Sequence, residues 1–314
     1  IPRAHRCIFV LNELPDLQPR IQVSLFSILE EKEIQIRGFK VRLPLDIQFI
    51  FTSNPEDYTN RGTIVTPLKD RVGSQILTHY PESIEVAKKI TKQESKIDSE
   101  LGAKIHVPEV ARDIIEQISF EARESDLVDR KSGVSARMSI TSLQNLVSSA
   151  ERRMIINNEE NTSIRMSDFS SVISSINGKV ELVYEGEEEG AEQVSYNLIS
   201  SAVKSIFNKY FPKIEKLTKP DEITPYDSIL KWFSSKQLVI NDNLKNKEYE
   251  DLLNQVDDAK KLIEQFIPEL DKDDKLFFIE FILWGLESYN KLSILRTNNG
   301  IEYKDPFNNF INKI

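Results

Sequence analysis

Cys7–Leu11 (CIFVL) is a strand-length run without one polar side chain, and it stops on Asn12-Glu13. Such a run, with no alternation, is the pattern of a strand covered on both faces. Ile47–Thr52 (IQFIFT) is a second buried-type strand, and it stops on Ser53-Asn54-Pro55-Glu56. Between the two, Ile21, Leu25, Ile28 and Leu29 recur at helical spacing over 21–33. Ile34–Leu43 alternates apolar and polar residues around Gly38, as a β-hairpin does. A third, weaker strand is expected at Gln75–His79. Strand, helix and strand joined by long crossovers predict a parallel α/β sheet.

From residue 82 the periodicity turns helical. Helices are expected near 83–99, 107–125, 139–157, 167–175, 192–210, 224–235, 245–267 and 272–291, with Pro108 and Ser139 suited to helix starts. The acidic, Gly-containing run around Val183–Glu192 reads as a solvated linker. The polar end (RTNNGIEYKDPFNNFINKI) is expected to be irregular. The fold class is therefore α/β followed by all-α. Residues 1–81 form the α/β part, 82–180 a helical domain, 181–191 the linker and 192–314 a helical accessory domain.

Composition narrows the function classes. With 41 Lys and Arg against 50 Asp and Glu the formal charge is −9, which gives no global footprint for nucleic acid. The lone Cys7 cannot form an internal disulfide, which favours a reducing compartment. Three scattered His without Cys partners argue against a zinc site. The most apolar stretch, Leu276–Leu286, is interrupted by Glu280 and is about half the roughly 20 residues a spanning helix needs, so it reads as a buried helix. No secretory leader is visible, and the expectation is a soluble, cytoplasmic protein without membrane or nucleic-acid partners.

The chemistry-bearing residues sit at strand ends. In open α/β sheets ligands bind outside the carboxyl ends of the strands. A carboxylate there can polarise a water and a neighbouring amide can orient it, two parts that nucleotide hydrolysis needs. Each residue alone also reads as an ordinary turn or helix cap.

The order of the motifs adds a resemblance. FVLNE, EIQIRGFKVRLP, FTSNPED and PLKDRVG follow one another, and SGVSARMSI comes later. Over residues 1 to about 175 this resembles the second half of an AAA+ ATPase core and the helical lid after it. The closest resemblance is to the MoxR and magnesium-chelatase I-subunit clade, in which Walker B, a hairpin insert, sensor 1, an arginine finger and sensor 2 come in that order. The resemblance implies ATP and Mg²⁺ as cofactors. It implies that Glu13 activates the attacking water, Asn54 acts as sensor 1, Arg71 is the finger acting in trans and Arg137 is sensor 2. Asn12, at the position usually held by Asp, would touch Mg²⁺ through water, but its amide carries no charge. The insert's Arg37, Lys40 and Arg42 form a basic tip that would face a pore or a partner. A ring oligomer, a hexamer, is implied, as is a von Willebrand factor A-type or other client.

No G-x-x-x-x-G-K-[ST] loop occurs in these residues. Together with the opening Ile1, this leads us to expect that the P-loop half of the core lies upstream. The third strand would then lack its neighbour, and the chain alone would be unstable through unpaired edges. The leading expectation is an ATPase coupling hydrolysis to partner remodelling or metal-cofactor insertion, with the MoxR-like chaperone favoured. The alternative is a scaffold that has lost hydrolysis. A transcriptional activator ranks last, since no helix-turn-helix is evident.

Overall fold

The computed structural model describes residues 1–31, 33–36, 39–42, 45–54, 63–130, 132–214, 224–297 and 299–306. They form two compact units, Ile1–His79 and Tyr80–Ile314. The α/β character belongs to the first unit and the helical character to the second.

In the first unit, β1 (Cys7–Leu11) and β4 (Ile47–Phe51) pair in parallel, with Cys7 opposite Ile47 and Leu11 opposite Phe51. Between them come helix α1 (Pro19–Phe26) and the antiparallel hairpin of β2 (Glu33–Ile36) and β3 (Phe39–Arg42). The tip residues Arg37 and Gly38, and the side chains of Lys40 and Arg42, lie outside the described residues. Helix α2 (Thr66–Arg71) starts at a Pro-containing first turn. A small core of Leu14, Leu25 and Leu68 joins these elements, with Leu11 and Phe51 packed against it.

Two expectations need correction here. The strands are covered on one face, not two: Leu11 and Phe51 meet the core, while Ile8, Val10 and Ile50 are exposed. The helices of this unit reach one side of the sheet, and no described element of this unit covers the other. Gln75–His79 is not a strand. Strands exist through ladder bonds, and no described strand lies beside this segment to supply them, so Ile76 and Leu77 stay exposed.

The second unit is built on helices α3 (Ile84–Glu94), α4 (Ser99–Lys104), α5 (Glu109–Glu124), α6 (Arg137–Asn157), α7 (Ile173–Asn177), α8 (Tyr184–Glu189), α9 (Ala191–Tyr210), α10 (Asp227–Phe233), α11 (Asn246–Leu253), α12 (Asp257–Phe266) and α13 (Lys275–Ser288). The helix expected over 83–99 is two. Ser83 caps the first, and the Asp98 carboxylate starts the second by accepting from the N–H groups of Glu100 and Leu101. The helix expected over 245–267 also breaks, at the turn Asn254–Val256, whose Val256 is fully buried. The acidic run expected as a linker contains α8, whose Gly186 packs against the Leu127 carbonyl so closely that a Cβ would sit 2.6 Å from it. The segments 82–180 and 192–314 share one buried core cluster.

The polar end is not irregular throughout. β8 (Ser293–Thr297) and β9 (Gly300–Lys304) form a hairpin, and β9 also pairs antiparallel with β7 (Leu238–Asn241). Gly300 has φ +153°, and a Cβ there would lie 2.1 Å from the Ile240 carbonyl oxygen, so glycine lets the two strands close. The short β5 (Ile105–His106) and β6 (Thr162–Ser163) pair in parallel. Among the described residues no helix is long and apolar enough to cross a membrane.

Candidate functional site at the strand ends

Parallel pairing in register brings the ends of β1 and β4 side by side. The Thr52 N–H donates to the Leu11 carbonyl at 3.0 Å, and the Leu14 N–H donates to the Thr52 carbonyl at 2.9 Å. The Thr52 side chain ties the two ends further. Its hydroxyl accepts the Glu13 N–H at 3.1 Å and donates to Asn12 Oδ1 at 3.3 Å. Asn54 follows two residues later on the same edge. Asn12, Glu13 and Asn54 thus stand on one exposed ledge, and no described residue bonds the Glu13 carboxylate.

Glu13 has φ 55° and ψ 53°, the left-handed region. A residue with a Cβ pays for that conformation, by roughly 1–2 kcal/mol. The turn is fixed by Leu14 and Pro15, which are buried directly after it.

Arg71 is placed differently. At the end of α2 its Nε donates to Glu30 Oε2 at 2.7 Å, its Nη1 donates to the Pro67 carbonyl at 2.9 Å, and its guanidinium lies 5.0 Å from the centre of the Phe26 ring. These bonds hold it within its own unit, the ordinary ion-pair reading of this residue. Arg137 belongs to the other unit, exposed at the first position of α6. The fold brings together three of the five candidates, Asn12, Glu13 and Asn54.

Sequence reasoning missed Gln22. It is fully buried, donates to the carbonyls of Leu17 at 2.9 Å and Thr63 at 3.2 Å, and accepts the Val65 N–H at 2.9 Å. It ties α1 to the chain entering α2. The signal was a polar residue on the Leu25 face of an amphipathic helix.

A second missed cluster lies in the unit Tyr80–Ile314. Glu280 is fully buried in α13 and accepts from the Met166 N–H at 3.0 Å, the Tyr249 hydroxyl at 2.6 Å and the Tyr303 hydroxyl at 2.9 Å. Trp284 Nε1 donates to the Tyr303 oxygen at 2.7 Å. Burial pushes the Glu280 carboxyl up and holds both tyrosines well above the usual phenol range. Nearby, Arg153 and Asp168 form a buried ion pair, and Asp168 also accepts from Ser149 Oγ at 3.0 Å and from the Arg165 N–H at 2.8 Å. Glu280 has no exposed surface, and these groups hold α6, α11, α13 and β9 together.

No protein family model matches the chain, and no curated protein matches it. Among solved structures, a crystal structure of a putative ATPase from Cytophaga hutchinsonii is similar at 18% identity and a TM-score of 0.25. The match covers 61% of this chain and 64% of that one, so the chain spans less than two thirds of that protein's length. A likeness this distant carries no argument about activity.

The strand-end ledge can be tested for fit to Mg²⁺ and nucleotide. Mg²⁺ takes oxygen donors, usually one or two carboxylates with waters and substrate phosphates. Glu13 and the Asn12 amide oxygen are donors of that kind. No cluster of three or more metal-binding side chains occurs among the described residues. The donor types present, one carboxylate and one amide oxygen, are ones Mg²⁺ accepts, and no Gly-rich phosphate loop occurs in the sequence.

Proposed function

We propose that the ledge of Asn12, Glu13 and Asn54 is the hydrolytic edge of an AAA+-type ATPase. The observation that supports this most is the parallel β1–β4 pairing, which sets a carboxylate and an amide on one carboxyl edge with the hairpin inserted between the strands. In this reading Glu13 takes a proton from water, Asn54 orients that water and Asn12 faces the cation. The bound nucleotide with Mg²⁺ supplies the phosphoryl group to be transferred. These 314 residues contain no P-loop, and this reading requires one to complete the site. Arg71 acts in trans once released from Glu30, and Arg137 reads phosphates from the helical unit. The assembly is a ring, a hexamer, remodelling a client such as a von Willebrand factor A-type protein in the manner of MoxR-like chaperones.

One observation favours a second reading, a scaffold that does not hydrolyse ATP. Asn12 is uncharged and its oxygen is already used by Thr52. The two readings separate in one experiment on the protein that includes the P-loop. Glu13→Gln should lower ATP turnover by about 10²–10⁴, the range of a general base, and leave nucleotide binding intact. Turnover equal to wild type rejects Glu13 as the base. Nucleotide binding without any wild-type turnover selects the scaffold.

A further inference from the structure

The unit Tyr80–Ile314 carries a groove of about 1150 Å³ that the proposed ATPase chemistry does not use. It runs between the β5–β6 pair, the first turns of α5 and α11, and the turn leading into α13. Its size exceeds the roughly 300–1,000 Å³ of small-molecule pockets.

Its charge is opposite to that of the chain. Lys104, Arg112, Arg165, Lys260, Lys272 and Lys275 line it, against the carboxylates of Glu250, Glu264 and Asp273. In a protein of formal charge −9, six cations against three anions in one groove is a local reversal. These lysines also lack partners. Elsewhere Lys88 pairs with Asp113 at 2.6 Å and Lys261 with Asp258 at 2.9 Å. The ammonium groups of Lys104, Lys260, Lys272 and Lys275 make no ion pair or hydrogen bond with any described residue. Lys275 opens α13, whose first turn holds no acid. Asp274, at the N-cap of that helix, offsets the positive helix end, so the groove's positive balance rests on its lysines and arginines.

The groove is built as well as charged. Arg165 is 2% exposed, its guanidinium lies 4.1 Å from the centre of the Tyr249 ring, and it donates to the Leu244 carbonyl at 2.9 Å and to Asn246 Oδ1 at 3.1 Å. At the rim, His106 Nε2 meets Asp274 Oδ1 at 2.6 Å.

We propose that this groove docks an acidic, extended polypeptide segment of a partner protein. The aromatic lining residues, Tyr249 and Phe277, are both buried, which leaves no platform for stacked bases. Glu250, Glu264 and Asp273 interrupt the cationic lining; a peptide can space its acidic side chains around them and offer them its N–H groups, which an evenly charged phosphate backbone cannot do.

The test uses the 314-residue chain and a fluorescein-labelled peptide of alternating Glu and Ser, read by anisotropy. Lys260→Glu, Lys272→Glu and Lys275→Glu together should weaken binding by about tenfold or more, with the loss growing at low salt. A control reverses Lys89, Lys96 and Lys213, exposed lysines outside the groove, to glutamate. It changes net charge equally and should bind as wild type. Circular dichroism of both variants shows that the helices remain. The proposal is overturned if the groove variant binds as wild type or if the control loses as much. It is also overturned if an oligo-dT strand binds through the same lysines more tightly than the peptide, or if stoichiometric inorganic phosphate displaces the peptide. None of these outcomes depends on ATP hydrolysis.

Discussion

Asp168 offers the sharpest test of how the helical unit is held. Its carboxylate faces Arg153, and both side chains are almost wholly buried, at 4% and 2% exposure. It also receives the Ser149 hydroxyl and the Arg165 N–H, while Arg153 donates to the Ser163 carbonyl at 2.7 Å. Asp168→Asn keeps the shape but removes the charge, leaving a buried guanidinium without a counter-ion. Breaking such a pair costs about 3–5 kcal/mol. With a denaturant slope near 3 kcal/mol/M, the urea midpoint should fall by about 1–1.7 M. Both tryptophans, Trp232 and Trp284, lie in Tyr80–Ile314, so fluorescence reports the unfolding of this unit. Replacing both partners, as Arg153→Met with Asp168→Leu, removes both charges and should recover most of the loss, because apolar replacements of a buried pair are often neutral. A midpoint shift for Asp168→Asn below about 0.3 M would refute this reasoning, as would a double variant no more stable than the sum of the single losses.

Three further outcomes follow from single contacts. Gly285→Ala puts a methyl group 2.2 Å from the Phe207 ring where α9 and α13 pack, and thermal melts should show a loss of about 1–3 kcal/mol. Glu116 is 3% exposed and burial raises its pKa above 4.5, so its contribution to stability is full below that value and is lost as pH rises through the folded-state value. Glu116→Gln removes the titration, so the urea midpoint of wild type should fall relative to the variant as pH is raised from 4, and parallel profiles would contradict the assignment. Gln22→Ala strands the Val65 N–H and two carbonyls in the unit Ile1–His79, and hydrogen exchange at Val65 should quicken in step with a loss of about 1–3 kcal/mol.

The strand pair, the hairpin and the longest helices were legible because their periodicity lies within single segments. Cys7–Leu11 could announce a strand through its own residues, but not which face would be covered, since that depends on where α1 and α2 land. Gln75–His79 had strand-like residues without a pairing partner. The hairpin Ser293–Lys304 had its signal in Asn299-Gly300, a turn-favouring dipeptide obscured by the polar residues around it, although Gly300 itself is already paired opposite Thr297 as the first residue of β9. Leu238–Asn241 alternates buried and exposed, but only pairing with β9 makes a four-residue run a strand. The position of Asn12, Glu13 and Asn54 at the strand ends was legible because parallel pairing carries that placement. Arg71 was not: Glu30 lies 41 positions away, and no local pattern shows that the two meet.

The backbone at Glu13 bears on what the ledge is for. A left-handed position selects glycine, or asparagine and aspartate, on conformational grounds alone. Asn158 and Asn290 follow that preference, with φ of 55° and 56°, while Arg6, just before β1, departs from it as Glu13 does, with φ 59°. Glutamate does not follow it, since its longer side chain gives it no local bond to its own backbone, and here the side chain makes no bond to any described residue. The Thr52 hydroxyl and carbonyl, which accept the Glu13 and Leu14 N–H groups, hold the strained turn from the neighbouring strand. The backbone conformation is shared with Arg6, so what sets Glu13 apart is its place at the paired strand ends and a carboxylate that bonds to no described residue. It supports the assignment of Glu13 as a base over its reading as a cap, because the helical turn after it receives no side-chain cap from Glu13 at all.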